Sequence, residues 1–264
     1  MSESEYLLSN VNPRTGPRLR GLELSFDPVT VGHLERLGIG PGQRCLEIGA
    51  GAGSIASWLA DRVGPSGRVV ATISTPRWMM GERQPQLTIR RHDMVREAVP
   101  DGPWDLIHER LVLLHLPERL EVLDRLVAAL APGGWLLVED LDDVAMPTID
   151  RTGVHHDLIA KFRTIFTELL RQRGALTDFG ANALRHLKVR DLVDTGASAH
   201  VVIDVGGSPF ARVLAASAAL LHDPLLASGV TPDEYDRYVA ALDDPDVIVR
   251  SPEMISAWGR RRPS

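Results

Sequence analysis

The fold is decided by the stretch RCLEIGAGAG, residues 44–53, in which a short apolar run leads directly into three alternating glycines. Ile55, Leu59 and Val63 then recur at helical spacing. Glycines let the backbone turn sharply and let a ligand approach it closely, and the helix that follows offers free N–H groups at its N-terminus. The stretch therefore predicts a strand, a glycine turn that can hold a ligand, and a helix.

Short apolar runs continue to alternate with helical patterns beyond this stretch. The predicted strands cover residues 44–49, 68–73, 87–91, 104–108 and 135–139. Before the last of them, Pro117 stands where a first helical turn accepts a proline, and Gly133 and Gly134 end the helix. This alternation is typical of βαβ units, so we predict an α/β fold with a doubly wound, Rossmann-like sheet and an inserted helical lid.

The chain divides into four predicted parts of one structural domain. They are an N-terminal arm and helix (1–42), a sheet core (43–147), a helical lid of insertions around a late strand (148–245), and the last strand with the C-terminus (246–264). Outside the core the predicted elements are helices over 29–37, 154–170, 180–195 and 209–221, a helix capped by Thr231, and strands over 199–205 and 247–249.

Composition and charge exclude several classes of protein. The 264 residues include 44% hydrophobic ones, which is typical of a globular chain, and 29 basic against 35 acidic residues give a net charge of −6. Cys45 is the only cysteine, so a disulfide framework and a cysteine-built metal site are excluded. The longest apolar run, 213–221, is too short for a membrane span, and the only basic run is 260–262. We therefore expect a cytoplasmic protein without a signal peptide, a membrane partner or a nucleic-acid partner.

The glycine turn belongs to a larger pattern. Residues 47–53 read E-x-G-x-G-x-G, residues 130–139 read LAPGGWLLVE, and RHD at 91–93 ends the third predicted strand. A dinucleotide fingerprint is disfavoured because Ser54 stands where it needs Gly or Ala. Together with residues 104–111, 242–245 and 251–258, the pattern resembles the class I S-adenosylmethionine (SAM)-dependent methyltransferases, in particular their small-molecule and natural-product subgroup.

The resemblance implies that SAM is the cofactor and that residues 43–147 bind it. The implied cofactor-binding residues are Glu47, Gly49, Ala50, Gly51, Gly53, Ile73, Ser74, His92, Asp93, Met94, Glu109 and Arg110. Trp78, Met79 and Met80 either border the adenine or serve packing. The implied substrate is a small metabolite, and a homodimer is possible.

Ile73 departs from the family pattern. In the family the second strand normally ends in Asp or Glu, whose carboxylate takes both ribose hydroxyls, and an aliphatic side chain cannot accept those bonds. The prediction is SAM-dependent methyl transfer to a natural-product intermediate. The alternative is a repurposed methyltransferase fold, either a SAM-independent, cyclase-type enzyme or a binding protein.

Histidines are the candidate general bases because imidazole titrates near neutral pH. His115 lies just before the predicted helix at Pro117, and His155 with His156 opens the predicted lid. His115 is equally open to a packing or capping role, whereas a solvated helix start is the favoured interpretation of His155 and His156. Catalysis by positioning alone remains the alternative. Asp140, Asp142 and Asp143 follow the fifth predicted strand, but no matching ligand follows the fourth, so no metal is expected. We expect the substrate pocket between the C-terminal ends of strands four and five and the inserted helices.

Overall fold

The computed structural model describes residues 12–75, 84–143 and 153–264. Trp78, Met79 and Met80 lie outside these described residues. The strands are β1 (Arg44–Ile48), β2 (Arg68–Ile73), β3 (Leu87–Arg91), β4 (Trp104–Arg110), β5 (Leu130–Asp142), β6 (Val193–His200), β7 (Ile203–Val205), β8 (Ile248–Arg250) and β9 (Glu253–Arg260). The helices are α1 (Thr15–Arg36), α2 (Ser54–Val63), α3 (Arg119–Ala129), α4 (His156–Gln172), α5 (Phe179–Lys188), α6 (Pro209–Leu220), α7 (His222–Ala227) and α8 (Pro232–Asp243).

Seven strands form one mixed sheet in the order β3-β2-β1-β4-β5-β9-β6. Strands β1 to β5 are parallel, and β9 runs antiparallel between β5 and β6. The predicted Rossmann-like α/β fold is therefore confirmed. The chain order reverses on the two sides of β1, which has β2 as one neighbour and β4 as the other. Ligands of doubly wound sheets bind at the carboxyl ends of the strands at such a reversal, and the glycine turn lies there.

Helix α1 corrects the prediction for the N-terminal part. The expected irregular arm with a short helix over 29–37 is wrong, because a single 22-residue helix begins at Thr15 and includes Pro28. Its buried face holds Arg18, Thr30 and His33 beside Phe26, so its sequence does not show an apolar stripe. Packing against α6 stabilises this helix in spite of the proline.

Three late elements also differ from the prediction. The helix expected over 180–195 ends at Lys188, because residues 193–195 already belong to β6. The strand expected over 199–205 is split between β6 and β7. The segment 247–249 contributes to β8, which pairs with β7 in a separate two-stranded sheet. The last strand of the main sheet along the chain is β9 instead, which pairs with both β5 and β6.

Candidate cofactor and substrate site

A cavity of about 620 Å³ lies at the carboxyl ends of β1, β2 and β4. We call it the glycine-turn cavity. Ten of the twelve residues expected to bind the cofactor line it: Glu47, Gly49, Ala50, Gly51, Ile73, Ser74, His92, Asp93, Met94 and Arg110. Gly53 and Glu109 do not line it. Gly53 is instead the N-cap of α2, with a φ of 96°.

Gly49 shows why the turn needs glycine. Its φ is +68°, and a Cβ atom added there would lie 2.4 Å from Cγ2 of Val112. The segment that follows β4 therefore packs directly on the turn. A side chain at position 49 would push these two walls of the cavity apart.

His108 joins the glycine turn to the neighbouring strand β5. Its Nδ1 lies 2.7 Å from Oε2 of Glu47, and its Nε2 lies 3.2 Å from Oε2 of Glu139. The imidazole is fully buried between these two carboxylates. Glu139 also accepts hydrogen bonds from the hydroxyl groups of Thr30 and Ser256, so the network extends to α1 and β9.

Charge dictates the protonation of this network. Burial alone would lower the pKa of His108, but the carboxylates of Glu47 and Glu139 raise it to about 10. Burial alone would raise the pKa of Glu139, but the hydrogen bond and the charge of His108 lower it to about 2. At neutral pH an imidazolium therefore bridges two carboxylates and fixes the orientation of the Glu47 side chain.

Ile73 lies at the end of β2, as expected, and its side chain is buried in the cavity wall. Its carbonyl accepts a hydrogen bond from the backbone N–H of His92, which places His92 next to it. Nε2 of His92 donates to the carbonyl of Ala98, while Nδ1 has no hydrogen-bond partner among the described residues. Oδ1 of Asp93 accepts from the N–H groups of the next turn, so this side chain holds local structure beside the cavity.

Glu109 has a structural position rather than a place in the cavity wall. Its Oε2 accepts hydrogen bonds from the N–H groups of Val112 and Leu113, and Asp140 accepts from the N–H of Leu114 in the same turn. Burial raises the pKa of Glu109 to about 7. Burial also raises the pKa of Asp140, and the negative charge of the neighbouring Glu109 raises it further. The two carboxyl groups hold the segment that closes the cavity.

A second cavity, of about 410 Å³, is largely aromatic and aliphatic. We call it the aromatic cavity. Its rings come from α1, α4, α6 and α8: Phe26, Phe162, Phe166, Phe210 and Tyr238. The rings of Phe162 and Tyr238 stack with centroids 3.8 Å apart. His155 and His156, two of the three predicted bases, line this cavity, and Nδ1 of His156 has no hydrogen-bond partner within the described part of the chain.

The two cavities adjoin because they share three wall residues, Arg18, Leu22 and Leu111. Leu111 follows β4 directly and has a φ of 58°, which is strained for a side chain of this size. A hydrogen bond from its N–H to the carbonyl of Glu139 keeps it there. Strained backbone of this kind is concentrated at functional sites.

His115 lies on the other side of this shared wall from His155 and His156. It lines the glycine-turn cavity, and burial, with the charges of Arg18 and Arg119, lowers its pKa to about 3. A base of such low pKa gains little from taking a proton at neutral pH. The structure thus separates the three predicted bases into one in the first cavity and two in the second.

The described ranges 12–75, 84–143 and 153–264 contain no group of three His, Cys, Asp or Glu side chains arranged to hold a metal ion. No helix in these ranges combines the length and the apolar character that crossing a membrane requires.

Sequence reasoning missed Arg18 and Leu111, and it did not assign His108 to the site. Arg18 was missed because the arm was not recognised as a helix. Leu111 carries no signal, since its conformation depends on β5. His108 was recognised at the end of β4, but its partners lie 61 and 31 residues away along the chain.

A family model described as a methyltransferase domain matches residues 30–194, more than half of the chain. The chain belongs to the SAM-dependent methyltransferase family. It is 38% identical over 107 residues to methyltransferase str3 of Strobilurus tenacellus, covering 39% of this chain and 37% of that protein. Methyltransferase str2 of the same organism is 35% identical over 141 residues, covering 52% of this chain and 50% of that protein. This methyltransferase chain thus spans half or less of the length of these relatives.

The fold is similar to that of phosphoethanolamine N-methyltransferase 2 from Haemonchus contortus, which was solved in complex with SAM. The TM-score is 0.59 at 16% sequence identity, over 100% of this chain and 60% of that chain. The residues of the glycine-turn cavity fit SAM in their chemistry: a carboxylate at Glu47, close backbone at Gly49 and Gly51, and apolar surface at Met94. Ile73 lines the cavity but cannot accept the hydrogen bonds expected at its position.

Proposed function

We propose that this methyltransferase transfers the methyl group of SAM to a small, largely apolar metabolite. The observation that carries the proposal is the pair of adjoining cavities. One has the glycine turn of the family, the other is lined by aromatic rings, and both share Arg18, Leu22 and Leu111. A methyl group presented at this shared wall meets an acceptor held on the other side, and such positioning supplies much of the catalytic effect.

Individual residues of the glycine-turn cavity have distinct roles in this proposal. Glu47 faces the cofactor as a carboxylate of fixed orientation, since His108 holds it from behind. The backbone at Gly49 and Gly51 lets the cofactor approach the turn closely. Apolar side chains of the second cavity bind the body of the metabolite and exclude water.

The low pKa of His115 opposes the role of general base that its position predicts. His155 and His156 stay candidates, since both line the aromatic cavity. An acceptor that is already deprotonated at neutral pH requires none of the three.

Ile73 favours one alternative, a methyltransferase fold that no longer transfers methyl groups. Its side chain cannot accept hydrogen bonds from a ribose. The remaining contacts of the cavity must then provide the whole affinity for SAM. A missing charge-assisted bond corresponds to about 1.5–3 kcal/mol, which weakens binding without abolishing it.

The test incubates the chain with methyl-labelled SAM and a small-molecule extract of its source cells. We expect label in a product of low molecular mass. Ala160 lines the aromatic cavity but not the glycine-turn cavity. Ala160→Trp should therefore abolish the labelling while S-adenosylhomocysteine still binds. Ala128→Trp on the exposed surface of α3 is the matched control and should label normally. Label confined to macromolecules contradicts the proposal, and the absence of any label favours the alternative.

A further inference from the structure

Arg18, at the shared wall of the two cavities, has no ion-pair partner for its positive charge in the described part of the chain. The residue is only 9% exposed. Among the described residues, the only hydrogen bond of its guanidinium group runs from Nε to Oγ of Ser217, at 3.2 Å. No described carboxylate forms an ion pair with it. A guanidinium group is always charged, and burying a charge without a partner is costly, so the position calls for an anionic ligand.

Arg18 lines both cavities, but its Nε is held from the side of the aromatic cavity. Ser217, which holds Nε, lines the aromatic cavity and not the glycine-turn cavity. The two terminal nitrogens of Arg18 have no hydrogen-bond partner in the described part of the chain. An anion of the bound metabolite is therefore the better match than the carboxylate of the cofactor.

Three aspartates, Asp143, Asp244 and Asp246, line the aromatic cavity, and none of them forms an ion pair with Arg18. Asp143 is paired with Arg171 at 3.3 Å, and Asp244 accepts the N–H of Asp246. Arg250 also lines the cavity: its Nη2 is paired with Glu253 at 3.3 Å, and its buried Nη1 has no hydrogen-bond partner among the described residues. Three arginines, Arg18, Arg163 and Arg250, thus line a cavity whose surface is otherwise largely apolar.

We propose that the acceptor is a carboxylate on an apolar body, and that Arg18 binds and orients this carboxylate at the shared wall. This inference rests on the proposed methyl transfer and specifies its substrate class. Arg18 is then the residue that selects an anionic oxygen over a neutral group of the same size. Guanidinium and carboxylate match in both charge and geometry.

The chemistry balances without a base. A carboxylate oxygen forms a bond to the methyl carbon, the bond from this carbon to sulfur breaks, and its electron pair stays on the sulfur. The products are a neutral methyl ester and S-adenosylhomocysteine. No proton moves, because a carboxylic acid is already ionised at neutral pH. Such a reaction agrees with the low pKa of His115, which makes this histidine a poor general base.

The experiment compares two probes of equal size, 4-phenylbutyrate and 4-phenylbutyramide, by calorimetry on protein saturated with S-adenosylhomocysteine. In the wild type we expect the carboxylate to bind about tenfold or more tightly than the amide. In Arg18→Met this preference should disappear, and in Arg18→Lys part of it should remain. The affinity for S-adenosylhomocysteine should change by less than about twofold in both variants.

Stability and a matched control separate this role from a structural one. Arg18→Met removes a buried, unpaired charge, so its melting temperature should rise, whereas a structural Arg18 would make it fall. Arg20→Met, on the same helix with a side chain that is 67% exposed, should behave like the wild type in every measurement.

Three results would overturn the inference: no carboxylate preference in the wild type, a preference that survives Arg18→Met, or a large loss of S-adenosylhomocysteine affinity in Arg18→Met. The last result would assign Arg18 to the cofactor carboxylate. A wild type that does not bind S-adenosylhomocysteine at all would instead contradict the proposed function.

Discussion

Replacing His108 tests the buried network most severely. His108→Gln keeps the approximate size of the side chain but removes the positive charge between Glu47 and Glu139. The two contacts of 2.7 and 3.2 Å then become contacts of buried carboxylates with a neutral amide. Removing one partner of a buried ion pair costs about 3–5 kcal/mol, so we expect a loss of this size in the free energy of unfolding. His108→Gln combined with Glu139→Gln should recover at least half of the loss, because one unpaired charge is gone.

The stabilisation that His108 provides should depend on pH in a predictable direction. The folded pKa of His108, about 10, lies above its ordinary value of 6.5. The stabilisation is therefore complete below about pH 6.5 and is lost as the pH rises through about 10. Urea unfolding followed by tryptophan fluorescence at pH 7 and pH 10 should show a larger loss for the wild type than for the double variant. Equal stability of His108→Gln and the wild type at pH 7, with equal pH slopes, would refute the ion-pair network.

Three further predictions concern the cofactor, the histidines and a helix cap. Ile73→Asp should restore a ribose contact and tighten SAM binding about tenfold in calorimetry, and an unchanged affinity would show that the ribose is bound elsewhere. His115→Ala and His156→Ala should each keep label transfer within about tenfold of the wild type, whereas a loss of ~10²–10⁴ in either would identify a general base and contradict a carboxylate acceptor. Thr231→Ala removes the capping box of α8 and should cost about 1 kcal/mol in urea unfolding without altering SAM binding; unchanged stability would contradict the cap.

Local signals account for the parts of the fold that the sequence predicts well. β2 and β3 have the predicted bounds, because each is a short run enclosed by turn residues. The N-cap of α8 is likewise readable, since Thr231, the proline after it and Glu234 are neighbours in the chain. The glycine turn is also predictable from local sequence, because its function depends on consecutive residues.

Non-local contacts account for the rest. The main sheet ends in β9 and β6, and their pairing depends on contacts such as that of Gly196 with Trp258, where a Cβ atom would lie 2.5 Å from the indole. Arg18 and His108 acquire their roles from partners on distant elements. A charged residue in a predicted helix is expected on the surface, so the sequence gives no sign that Arg18 is buried. The shared wall of the two cavities is therefore visible only in the three-dimensional structure.

A calorimetric titration of the wild type with S-adenosylhomocysteine tests whether this chain binds the cofactor that its glycine turn predicts. NAD serves as the control ligand, since a glycine turn of this kind also occurs in dinucleotide-binding proteins. We expect one molecule of S-adenosylhomocysteine bound per chain and no heat with NAD. The absence of heat at millimolar S-adenosylhomocysteine, or equal binding of NAD, would contradict this expectation.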